Sequence, residues 1–131
     1  MATTITDPAE AAAELKTRIK RARKVVFFGG AGVSTASGIP DFRSEDGLYH
    51  QKFRYPPEEM LSHSFYVNHP DEFFEFYRTR MIALGAKPNK AHFKLAELER
   101  EGKLSAVVTQ NIDGLHQMAG SHIVYELHGS V

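Results

Sequence analysis

A chain of 131 residues is long enough for one domain, or a piece of one, with a sizeable core. Its 16 basic and 16 acidic side chains cancel, which argues against direct binding to nucleic acid or to an anionic membrane, and no apolar stretch approaches membrane-spanning length. Cysteine is absent, so neither a disulfide nor a thiolate zinc site can form within this chain. The N-terminus lacks a basic-then-apolar pattern, and a cytoplasmic location is the expectation.

Residues 7 to 23 are predicted to form a helix, with Asp7 as cap, Pro8 at the first position and Glu10 completing a capping box. Leu15, Ile19 and Ala22 recur on one face, and Lys16, Arg18, Lys20, Arg21, Arg23 and Lys24 crowd the C-terminal half, where cations complement the helix dipole. A polyanion site is the other reading of that crowd. Val25-Val26-Phe27-Phe28 is continuously apolar and bounded by glycine, as a strand buried on both faces is. The stretch from Gly30 to Lys103 far exceeds the roughly dozen residues that a crossover needs. It predicts a long ligand loop plus an inserted helical module, Arg54 to Gly85. Within that module a helix starts after Pro70 and sets Phe73, Phe76, Tyr77 and Arg80 along one face.

A further helix is predicted from Lys90 to Glu101, with Ala91, Leu95 and Leu98 facing inward and Gly102 as its stop. LSAVVT (104–109) and IVYEL (123–127) read as strands. Strand, helix, strand, short helix, strand is the order of an α/β fold: the first half of a Rossmann-like, doubly wound parallel sheet with a small helical insertion. The expected division assigns 24–53 and 86–131 to the Rossmann-like part and 54–85 to the insertion.

Gly30-Ala31-Gly32 stands where the first turn of such a sheet approaches a pyrophosphate, and the hydroxyls of Ser34 and Thr35 add donors. The usual dinucleotide fingerprint wants a third glycine where Thr35 stands. In the following GIPDFR, Pro40 stiffens the loop, Phe42 offers a flat apolar face and Arg43 a planar charged fork. A loop staple is the competing reading, with Phe42 buried and Arg43 paired to Asp41 or Asp46. Gln110-Asn111-Ile112-Asp113 follows the second strand and His128 the third, so three polar clusters are predicted at one sheet edge, where doubly wound folds bind ligands. An imidazole there can act as a base near neutral pH. The histidines at 50, 63, 69, 92, 116 and 122 have no such placement, and His63 and His69 read as surface residues.

The motifs GAGVSTASGIPDFR, TQNIDGLH and ELHGS resemble those of the sirtuins, NAD-dependent protein lysine deacylases, and look most like the bacterial members. The resemblance runs from about Lys24 to Val131, with the motifs in order and correctly spaced. It implies that Gly30, Ala31, Gly32 and Thr35 line the NAD phosphate region, with Asp41, Phe42 and Arg43 on a flexible cofactor-binding loop. It further implies that Gln110 and Asn111 contact the ribose, that Ile112 and Asp113 hold the nicotinamide carboxamide, and that His128 is the general base, with Asn111 beside it in the catalytic set. In the family reaction the acyl-lysine carbonyl oxygen attacks the ribose carbon as nicotinamide leaves, and the acyl group ends on ADP-ribose. Tyr77 and Arg80 resemble a Tyr-x-x-Arg pair that binds acidic acyl chains in some sirtuins; core packing plus a surface arginine is the alternative.

Members of the family continue past this point into a zinc module with two Cys-x-x-C pairs and then the second half of the sheet. The expectation is therefore an N-terminal part of a catalytic domain, inactive alone and prone to self-association, with acyl-lysine proteins or peptides as substrates of the whole. A non-catalytic NAD or ADP-ribose binding module is the rival reading.

Overall fold

The computed structural model describes residues 4–43, 45, 47, 48 and 52–131. Asp46 and His50, both named above, lie outside them. Helix α1 (Pro8–Arg21) starts where expected: the Asp7 carboxylate accepts the Glu10 N–H at 2.8 Å, and Pro8 occupies the first turn, where no N–H is needed. Its C-terminal carbonyls are met by a residue from elsewhere. Lys103 Nζ donates to the carbonyl oxygens of Lys20, at 3.0 Å, and of Ala22.

Three parallel strands follow in the order β1-β2-β3: β1 (Val25–Gly29), β2 (Leu104–Thr109) and β3 (Val124–Glu126). Register runs Phe27 to Val107 to Val124 on one face and Phe28 to Val108 to Tyr125 on the other. The first face is covered: Leu98, Leu104 and Val107 form a buried cluster, with Ile19 of α1 and Leu95, Phe27 and Val124 packed against it. The opposite face is open, with Val26 59%, Phe28 63% and Tyr125 59% exposed. The expectation that β1 is buried on both faces is thus corrected. A continuous apolar run records what a strand can bury, and only the elements above and below decide what it does bury.

Helix α5 (Lys90–Arg100) carries the covering residues. Its buried stripe is His92, Ala96 and Leu98, with Leu95 half-buried; Ala91, predicted inward, is exposed. Gly102, at φ +71°, takes the left-handed conformation that ends the helix, and the Lys103 N–H returns to the Leu98 carbonyl at 2.9 Å. Glu99 on the same helix accepts the N–H groups of His122 and Ile123 and so places the start of β3.

Between β1 and α5 the chain forms a 3₁₀ helix (Ala31–Ser37) and then a group of short helices: α2 (Pro57–Met60), α3 (His63–Asn68) and α4 (Pro70–Phe76). The last runs on into a π-helical turn, Tyr77–Met81. This group has its own apolar cluster of Met60, Phe65 and Phe76, with Phe53, Tyr55, Leu61, Phe73 and Met81 against it. His63 is exposed as expected, but His69 is half-buried, its ring 4.9 Å from that of Phe65. After β2 comes one turn of helix, α6 (Leu115–Met118). Among the described residues no helix is long and apolar enough to cross a membrane.

Candidate active site

The parallel arrangement brings the C-terminal ends of all three strands to one edge. The segments that leave them, 30–43, 110–113 and 127–129, converge there on a cavity of about 380 Å³. Ala31, Ser34, Ile39, Pro40 and Phe42 line one side, Gln110, Asn111, Ile112, Asp113 and His128 another, and Leu48, Leu61, Arg80 and Met81 complete the wall. A mostly apolar wall with a few converging polar groups is the usual character of a small-molecule site.

The polar groups are held by a network rather than left loose. Ser34 Oγ, only 1% exposed, donates to Asp113 Oδ2 at 2.6 Å and accepts from Asn111 Nδ2 at 3.1 Å. The Asn111 N–H donates to Thr109 Oγ1 at 3.0 Å, and the Leu115 N–H donates to Asp113 Oδ1 at 3.0 Å. Gly114, at φ +69°, makes the left-handed turn that brings Leu115 back to the carboxylate. The segment is tied to β1 as well, since the Gln110 N–H donates to the Gly29 carbonyl at 3.0 Å. A Cβ at Gly30 would come within 3.2 Å of Gln110 Oε1, so the two loops pass close to each other here.

His128 Nδ1 lies 3.0 Å from the Gln110 carbonyl oxygen. A carbonyl can only accept, so Nδ1 carries the proton and Nε2 is the nitrogen able to take one from a ligand. The Val131 N–H is bonded to the Ile112 carbonyl at 3.2 Å, which ties the His128–Val131 segment back to the 110–113 loop.

Other expected residues stand differently. Gly32, Thr35 and Arg43 are exposed beside the cavity, and Asp41 is half-buried, its carbonyl accepting the Leu48 N–H at 2.8 Å. The hydroxyls of Ser34 and Thr35, read above as added donors, are engaged inside the chain, that of Thr35 with the Gly32 carbonyl at 3.0 Å. Tyr77 and Arg80 both lie in the π-helical turn and line different cavities. Arg80 lines the cavity with its guanidinium 5.4 Å from the Phe53 ring, whereas Tyr77 stacks on Phe73 and faces an adjoining cavity of about 240 Å³.

Two buried residues had no predicted role. His92 is 0% and His116 1% exposed, their ring centroids 4.8 Å apart beneath the site. Burial pushes both imidazoles below the usual histidine range, and the nearby Asp113 carboxylate pulls the other way. Only the Asn-x-x-His spacing at the start of α5, a capping-box position, pointed to His92 in the sequence.

A profile described as the Sir2 family matches residues 30–131. The chain is 65% identical over 120 residues to an NAD-dependent protein deacetylase of Clostridium acetobutylicum, covering 90% of this chain and 49% of that protein. It is 50% identical over 125 residues to NAD-dependent protein deacylase 2 of Archaeoglobus fulgidus, covering 95% and 47%. Among solved structures it resembles a Sir2 variant holding a deacetylated p53 peptide and 3'-O-acetyl ADP-ribose (TM-score 0.83, 44% identity, 91% of this chain and 47% of that one). A Sir2 complex with p53 peptide and NAD+ is also similar (TM-score 0.75, 46% identity, 90% and 45%). The chain thus spans about half the length of the relatives it matches.

Proposed function

This chain belongs to the Sir2 family, and we propose that it carries the nicotinamide-ribose part of the cofactor site and the general base of an NAD-dependent protein lysine deacylase. Acyl-lysine proteins or peptides are the substrates of that reaction, and ADP-ribose receives the acyl group. The observation that carries this reading is the meeting of Asn111, Asp113 and His128 at one cavity beyond three parallel strand ends. The residues present fit NAD. The apolar lining by Ile39, Pro40, Phe42 and Ile112 suits a nicotinamide ring, and amide, carboxylate and imidazole groups in the same cavity suit its polar edges. At Gly32 a Cβ would meet nothing within 4 Å, which leaves room for the phosphate region assigned to Gly30, Ala31, Gly32 and Thr35, with Asp41 and Arg43 on the loop beside it.

Bound NAD supplies a ribose carbon that becomes electrophilic as nicotinamide leaves. In this reading Asp113 and the Ile112 segment orient the carboxamide, Gln110 and Asn111 hold the ribose hydroxyls, and Phe42 keeps water from the pocket. His128 accepts a proton at Nε2 while Nδ1 stays on the Gln110 carbonyl. The cysteine ligands of the family's zinc module are not in this chain, and no cluster of three or more metal-ligating side chains occurs among the described residues. The division into 24–53 with 86–131 and 54–85 belongs to the same reading and is supported by the two separate apolar clusters. A cytoplasmic location also belongs to it, with fractionation as its check.

Peptide-dependent release of nicotinamide from NAD, measured on this sequence extended to the relatives' full length, is the test. His128→Ala is expected to lower turnover about 10²–10⁴-fold while leaving NAD binding largely intact. Near-normal turnover in that variant would sink the assignment of the base. Tight NAD or ADP-ribose binding with no peptide-dependent release in the unaltered protein would indicate a non-catalytic binding module instead.

A further inference from the structure

His92 occupies the third position of α5, where a capping-box residue reaches back to the backbone N–H of the cap. Its Nδ1 accepts the Asn89 N–H at 3.1 Å, so the neutral ring bears its proton on Nε2. Asn89 does more than start a helix. Its Oδ1 accepts the Ala91 N–H at 2.9 Å, while its Nδ2 donates to the Val33 carbonyl at 2.8 Å and to Ser37 Oγ at 3.0 Å. Asn89 therefore pins the 3₁₀ helix whose Ala31 and Ser34 line the cavity. A continuous set of contacts runs from a fully buried imidazole, through one asparagine, to the turn that opens the site.

We propose that His92 is a positioning residue whose bare Nδ1 holds Asn89, and through it the 3₁₀ helix, in place, so that protonation of His92 releases the turn. The reason is local. A protonated Nδ1 is a donor, and it would face the donor N–H of Asn89, so the bond is lost and two N–H groups oppose each other. Among the described residues, the ionisable groups that act on this ring are Asp113, from the loop after β2, and His116, on α6. From β1 the pair meets the Phe27 ring, 5.8 Å from that of His116. Asp113 favours a charge on the pair, while burial and any charge on His116 oppose it. Release therefore requires pH below the ordinary histidine value of 6.5. The consequence for cofactor binding rests on the reading of the cavity as an NAD site; the link from His92 to the turn does not.

Histidine-labelled nitrogen NMR of this chain, with its amide signals followed from neutral to acidic pH, separates the two. At neutral pH His92 should show a bare Nδ1 and a protonated Nε2. On acidification the amide signals of Asn89, Ser34 and Ser37 should move with the same midpoint as the His92 ring. Glutamine is an ordinary capping-box partner that accepts the same N–H and takes no proton, so His92→Gln should keep the neutral positions and abolish that transition. His92→Ala should show the displaced positions already at neutral pH. A proton on Nδ1 at neutral pH, or the same midpoint surviving in His92→Gln, would overturn the proposal. If His92→Gln fails to fold, the tautomer and the shared midpoint of the unaltered chain decide it alone. NAD affinity in the full-length protein should fall over the same pH range in the unaltered sequence and not in His92→Gln. Unchanged affinity alongside a shared NMR midpoint would count against the cofactor reading and leave the positioning role standing.

Discussion

Replacing Ser34 by alanine removes one oxygen from the centre of the site and leaves its shape almost unchanged. That oxygen makes two buried contacts: a charge-assisted bond to Asp113 at 2.6 Å and an acceptor site for Asn111 Nδ2 at 3.1 Å. A hydrogen bond to a charged group contributes about 1.5–3 kcal/mol, and a buried donor left without a partner costs about 1–3 kcal/mol. Asn111 is only 8% exposed, so water does not readily replace the serine. Because the two effects share one atom and the neighbours relax, a net loss of about 2–4 kcal/mol is expected. Urea unfolding followed by circular dichroism, at one fixed protein concentration, reads it as a lowered midpoint or as a variant already unfolded without denaturant. A double-mutant cycle with Asp113→Asn isolates the pair and should show coupling above about 1 kcal/mol. A loss below about 0.5 kcal/mol with additive single variants would refute the network as a structural element.

Three other outcomes are expected. His92 and His116 are held below their unfolded value of 6.5, so the unfolded chain binds more protons; their contribution to stability is whole above that pH and declines as pH falls below it, which thermal melts across pH check against His92→Gln. Tyr77→Phe should leave the ratio of acetyl- to succinyl-lysine turnover in the full-length protein unchanged, because Tyr77 faces the adjoining cavity; a shift of about tenfold or more, some 1.4 kcal/mol, would show that it acts with Arg80. This chain by itself should self-associate in light scattering through its open sheet face and the edge of β1, which among the described residues pairs only with β2, and Val26→Thr with Phe28→Thr should reduce that; a monomer before and after would exclude this surface.

Much of the fold was legible along the chain because it depends on local chemistry. Asp7 and Pro8 start α1, Gly102 ends α5, and LSAVVT is a strand in the sequence and in the structure. The site was legible for a related reason: in a parallel sheet every strand runs the same way, so whatever follows each strand reaches the same edge. Residues 30–43, 110–113 and 128 could be placed together without knowing a single distance. What the chain could not reveal was anything set by contact between segments far apart in sequence. Periodicity marks which side chains are apolar, and by itself it chose Ala91 over His92 for the inner face of α5. Ser34 and Asp113 are 79 residues apart, and only the folded chain turns the serine from a ligand donor into a support for the carboxylate. Likewise the π-helical turn that holds Tyr77 and Arg80, which line different cavities, leaves no mark in composition. Burial of His92 and His116, and with it their basicity, follows from packing of α5, α6 and β1 against one another, because the cost of charging an imidazole depends on every neighbour that replaces water.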